Sequence, residues 1–245
     1  MNVREADQLG SRIGLLVEGG RLDEAHALLR PVLAERTPFR YLDRIGGKVG
    51  EAWLPQANAF LEGIFRDRTE GGWVVIASAL GRQMERDFSG ALARCRGYVV
   101  AADVWYGADI PGERVPGPAL VGDFEAALAE LRPWRADGNR WVRRTVGVAV
   151  HFWAKRSRGA PELAPQAEAL LGFLEPMFEE WDMDAVKGVG WGLKTLGRHY
   201  PGLVADWLVE QVEHQRRRHR ALMVRKAVTY LPDEERDRIQ ERKAD

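Results

Sequence analysis

The chain has 245 residues, enough for one large domain or two small ones with a buried core. Hydrophobic residues are 45% and charged residues 29%, an ordinary globular balance, and no apolar run is long enough to cross a bilayer. The 36 basic and 36 acidic residues cancel formally, and the single cysteine, Cys95, excludes an internal disulfide and a cysteine-based zinc site.

The N-terminal run MNVREADQLGSRIG has no uninterrupted apolar stretch, so no secretory signal is expected. Helical periodicity then dominates. Leu22, Ala25, Leu28, Leu29, Val32 and Leu33 form one apolar stripe, and Ala59, Phe60, Ile64 and Phe65 form another after Pro55. WVVIASAL from Trp73 has strand composition, but its helical continuation to Met84 argues for helix. The run ADVWYGADIPGERVPGP from Ala102 reads differently. On a helix Trp105 and Asp109, at i and i+4, face the same way. Pro111 then ends the helix, which opens into a Pro/Gly loop and leaves Asp109 at an unfavourable C-terminal end. Asp123 is the expected N-cap of a further helix carrying Phe124, Ala127, Leu128 and Leu131. Alternating strand patterns are scarce, so the fold expected is all-α.

Three later helices look like copies: WVRRTVGVAVHFWAKR, AVKGVGWGLKTLGRHYP and MVRKAVTYLP. Each carries a Val followed by basic residues, and Val142, Val186 and Val224 are 44 and then 38 residues apart. GGWVVIASALGRQ from Gly71 is an earlier candidate copy. A period near 40 with paired helices indicates a HEAT-like solenoid. The expectation is a right-handed α-solenoid with a concave basic face, formed by residues 1–245 as a single domain.

The basic residues are not spread evenly. Between Arg132 and Arg158 eight basic residues face one acid, Asp137; from His214 to Lys226 six basic residues face none. On a helical wheel Val186, Val189, Leu193 and Leu196 form a buried stripe, while Lys187, Trp191, Lys194 and Arg198 share another face. In the preceding copy Val142, Val146, Ala149 and Trp153 are the stripe, and Arg140, Arg144, His151 and Lys155 share the other face. Arg218 and Arg225 extend the series. Stacked in register, these faces form a wall suited to a nucleic-acid backbone. The plain alternative for any one block is a solvated surface, and an indole on a helix is ordinarily core. Gly188, Gly190 and Gly192 weaken their helix by about 1 kcal/mol each relative to Ala, so either a neighbouring helix or a ligand approaches that backbone closely.

WVRRTVGVAVHFWAKR, VKGVGWGLKTLGRHYPGLV and the Trp-x-x-x-Asp of WYGAD together resemble the bacterial DNA alkylation repair glycosylases with HEAT-like repeats, the AlkD-like family, over roughly residues 70–232. The resemblance implies an all-α solenoid that cradles duplex DNA and hydrolyses the N-glycosidic bond of N3-alkyladenine and N7-alkylguanine without deep base flipping. By motif position it implies a site of Trp105, Asp109, Arg144 and Trp191, with Trp141 and Arg143 as register alternatives. Asp109 is then the group that stabilises an oxocarbenium-like sugar and positions water. The two indoles pack on the lesion's deoxyribose and flanking backbone, and Arg144 grips a phosphate. The implied DNA contacts are Arg140, Arg143, Lys155, Lys187, Lys194, Arg198, Arg218 and Arg225. The implied partner is double-stranded DNA containing alkylated bases; no metal, cofactor or membrane is implied, and a cytoplasmic, nucleoid-associated monomer is expected. The Pro/Gly run after Asp109 is a departure, since the family is expected to continue more helically there. A non-catalytic relative that binds distorted or branched DNA, and a protein–protein scaffold, are the other readings of the same fold.

Overall fold

The computed structural model describes residues 1–241, and the described chain is helical throughout with no strand. It divides into two compact units, Met1–Val115 and Pro116 onward. Among the described residues no helix is long and apolar enough to cross a membrane.

The first unit holds α1 (Val3–Glu18), α2 (Leu22–Ala34), α3 (Phe39–Glu51), α4 (Leu54–Arg66), α5 (Glu70–Gln83), α6 (Phe88–Ala102) and α7 (Trp105–Arg114). α1, α3, α5 and α7 stack in that order as one layer, and α2 and α4 cover them from the other. Ile13, Val17, Ile45, Val49, Val75 and Leu80 fill the seam and are fully excluded from water. The expected stripes hold at Ala25, Leu29, Val32, Phe60 and Ile64, all buried, while Ala59 faces solvent and Leu61 takes its place. WVVIASAL lies inside α5, a helix so enclosed that its buried residues run continuously from Gly72 to Ala77, which is why it lacks a polar face.

The second unit holds α8 (Pro116–Gly122), α9 (Phe124–Leu131), α10 (Arg140–Ser157), α11 (Ala164–Leu174), α12 (Met183–His199), α13 (Pro201–Val209), α14 (Ala221–Ala227) and α15 (Asp233–Glu241). Here α8, α10, α12 and α14 stack consecutively, with α9, α11, α13 and α15 alternating in sequence between and after them. The three copies seen in the sequence are α10, α12 and α14, and their marker residues Val142, Val186 and Val224 are all buried. The fold is an all-α helical repeat. Asp123 caps α9 as expected, accepting the Ala126 N–H at 3.2 Å.

The stretch after Asp109 is not a loop. Pro111 sits inside α7, which continues to Arg114, and Pro116 opens α8. Proline lacks only the N–H, so in the first turn of a helix it forfeits nothing. Within α7 it removes one bond, with Gly107, and the helix runs three residues further. The Val115 N–H closes that end on the Pro111 carbonyl at 2.8 Å.

Candidate functional site

In the first unit the site begins with a tight turn. Asp103 ends α6 in the left-handed conformation at φ 48, and Val104 is extended before α7 begins at Trp105. Gly107 is required there, because a Cβ would lie 2.4 Å from that of Ala102. The turn leaves Trp105 at the first position of α7 and 54% exposed, so it does not plug the core. Its ring meets Tyr106 edge-on, with centroids 5.6 Å apart. Asp109 follows one turn on, half-buried between the buried Ala108 and Ile110. It lies in the N-terminal half of α7, so the helix dipole does not oppose its charge as the sequence had suggested. The far end of α7 is pinned: Arg114 Nε donates to Asp43 Oδ1 on α3 at 2.6 Å, and Ser78 Oγ on α5 donates to the same oxygen at 2.8 Å.

In the second unit α10 and α12 pack backbone to backbone. A Cβ on Gly147 would lie 2.2 Å from the Gly188 carbonyl carbon, and one on Gly188 would lie 2.5 Å from the Arg144 carbonyl oxygen. Gly192 fits against Gly147 and Val150, and Gly190 against the stem of Lys226 on α14. The glycines of KGVGWGLK are therefore explained by neighbouring helices rather than by a ligand.

This closeness corrects the helical wheel of α10. Arg144 and His151, expected on an open face, are each only 8% exposed because α12 covers them. Arg144 Nη1 donates to the Asp184 carbonyl at 3.2 Å. His151 stacks on Trp191, with centroids 3.9 Å apart and planes 24° off parallel. Its Nδ1 lies 2.7 Å from Thr195 Oγ1, whose own proton goes to the Trp191 carbonyl at 3.0 Å. Thr195 must therefore accept, which places the imidazole proton on Nδ1 and an acceptor lone pair on Nε2. Burial, then Lys155, push the His151 pKa down to about 4, so the ring is neutral at pH 7. Trp191 is half-buried, neither core nor fully open. Trp141, the register alternative to the functional tryptophans, is buried.

The basic residues fall into two groups. Some have acidic companions, which for Arg143 and Arg140 are distant in sequence. Arg143 Nε donates to Glu180 at 2.6 Å and its Nη1 to the Asp137 carbonyl at 2.7 Å, so this guanidinium is tied down inside the unit rather than offered to a ligand. Arg140 and Lys187 both lie 3.6 Å from Asp184. Others gather where α10, α12 and α14 face one way. Lys226 is pushed below the ordinary lysine range by burial, and then by Lys194, Arg144, Lys187 and Arg225. Lys194 and Arg198 sit over the exposed ring of Tyr230, at 4.6 and 5.2 Å. Lys155 and Arg225 are exposed, and Arg218 lies over Trp181 at 5.6 Å. Lys226 and Tyr230 were missed as site residues, although Lys226 lies in the basic block and follows Val224 at the spacing at which Arg144 follows Val142. Cations from α10, α12 and α14 thus lie close enough to Lys226 to oppose its charge.

Residues 58–231 match the family model described as DNA alkylation repair enzyme. The chain belongs to this family. The match runs from α4 to the short 3-10 turn after α14, so it includes α7, α10, α12 and the cationic cluster. The protein thus has a role in DNA alkylation repair, and the family indicates an enzyme acting on DNA. No curated protein and no solved structure matches the chain.

Proposed function

We propose that this member of the DNA alkylation repair family is a monofunctional DNA glycosylase. It hydrolyses the N-glycosidic bond of N3-alkyladenine and N7-alkylguanine in duplex DNA without drawing the lesion into a deep pocket. Residues 1–245 act as one repair domain, as a monomer in the cytoplasm. The observation that carries the reading is Trp105: a chain of this family leaves an indole more than half exposed, one helical turn from Asp109.

A purine alkylated at N3 or N7 is already cationic and leaves as a neutral base when its bond to C1′ breaks. The sugar is left electron-poor, and water adds its hydroxyl to C1′ while releasing a proton. A carboxylate stabilises that sugar electrostatically, orients the water and takes the proton, and Asp109 has this role. Trp105 and Trp191 present π-faces to the developing positive charge. Arg144 engages a phosphate, and the exposed Lys155, Lys187, Arg198 and Arg225, with Lys194 and Arg140, supply sequence-independent attraction.

The test is release of free 7-methylguanine or 3-methyladenine from methylated duplex DNA. Wild type should release base, and Asp109→Asn should lose at least about 10²-fold in rate. Wild-type protein that binds duplex DNA tightly but releases nothing ends the glycosylase reading. The non-catalytic alternative, a binder of distorted or branched DNA, is favoured by one observation: Arg144 is largely buried and already donates to the Asp184 carbonyl.

A further inference from the structure

At the start of α12 the second unit holds one indole in the open. Trp181 is 52% exposed, and the turn carrying it is unusually well fastened. The Glu180 carboxylate, only 10% exposed, accepts the N–H groups of Trp181 at 2.9 Å and Asp182 at 2.8 Å. The same carboxylate takes the Arg143 guanidinium at 2.6 Å. Asp182 then caps α12, accepting the Asp184 N–H at 2.9 Å. A part-buried ion pair and three hydrogen bonds fix the backbone on both sides of a side chain that itself buries little.

Two arginines from the segment before α14 complete the arrangement. Arg220 Cζ lies 4.2 Å from the Trp181 ring centroid, and its Nε donates to the Trp181 carbonyl at 3.0 Å. Arg218 Cζ lies 5.6 Å from the ring. Among the described residues no carboxylate pairs with Arg218 or Arg220. Met183 beside them is also exposed. An immobilised indole flanked by two uncompensated guanidinia matches one chemistry well: a flat π-system attached to a phosphate. Stacking on the indole satisfies the first, and the forked donors satisfy the second.

We infer that Trp181, Arg218 and Arg220 form a second nucleic-acid site that takes an unstacked nucleobase and its phosphate from single-stranded DNA. The inference rests on DNA being the partner but not on any base being excised. Its chemistry is tolerant of base identity, because every base presents a π-face. The site gives the protein a preference for unpaired over fully paired DNA.

The experiment measures the affinity of full-length protein for a fluorescein-labelled dT15 oligonucleotide and for a blunt 15-base-pair duplex at one salt concentration. Trp181→Ala should weaken dT15 binding about 10-fold and duplex binding less than about 2-fold, while Trp181→Phe keeps most of the single-strand affinity. Arg218→Gln with Arg220→Gln should also reduce the single-strand preference, and it leaves the indole and its turn intact should Trp181→Ala prove unstable. Equal loss on both DNAs, or no loss with either variant, overturns the site. Base release from methylated duplex is read separately, so the site can fail while the glycosylase reading stands, and the reverse.

Discussion

His151 lies flat against Trp191, with its Nδ1 proton held by Thr195. The stack binds α10 to α12 through a ring that must stay neutral. In the unfolded chain this imidazole takes its proton near pH 6.5, and in the fold only near about 4. Between those values the unfolded chain binds more protons, so stability falls as the pH drops from about 6.5 to about 4 and levels off below. The loss from this one group should be on the order of 3 kcal/mol. Urea unfolding across pH 4–7 measures it, and His151→Gln should flatten the profile in that window.

The helix seam makes a contrast between glycines. Gly188→Ala drives a methyl into the Arg144 backbone, at 2.5 Å from its carbonyl oxygen, where no side-chain motion can relieve the clash. It should destabilise by about 3 kcal/mol or more. Gly97, inside α6, has nothing within 4 Å of its would-be Cβ, so Gly97→Ala should stabilise by roughly 0.5–1 kcal/mol. Thermal melts of the two variants beside wild type test both signs.

Lys226 carries a charge that its surroundings oppose. Lys226→Met keeps the stem that packs on Gly190 and removes the ammonium. The melting temperature should rise. DNA affinity should fall, and the slope of log affinity against log salt should become shallower by roughly one counterion. A gain in stability without a loss in DNA affinity means that Lys226 makes no phosphate contact.

Glu180→Gln should be costly. It leaves the part-buried Arg143 guanidinium without its carboxylate and loosens the turn before α12. A loss of about 2–4 kcal/mol in denaturant unfolding is expected, with Arg143→Met in the same background recovering part of it. Full additivity of the two variants means that the pair is not coupled.

Much of this was readable in the residues themselves. The copies led by Val142, Val186 and Val224 were visible because a buried helix face repeats every turn and a stacked repeat repeats its buried faces. Trp105 and Asp109 were legible as neighbours because i and i+4 on a helix always are. The Pro/Gly run was misread because Pro116 opens α8, where its missing N–H forfeits nothing, and because Pro111 removes only one bond from α7, which the rest of that helix survives.

By itself, then, the sequence determined an all-α repeat, its period and its family, since periodicity and motif spacing are local properties of the chain. The tertiary structure alone decided which cations are available. Glu180 and Asp184 come 37 to 44 residues after the arginines they meet, so a count of charge along the α10 segment could not include them. It also decided that Arg144 and His151 are covered, because two glycines let α12 approach α10 more closely than a wheel drawn for one helix can represent.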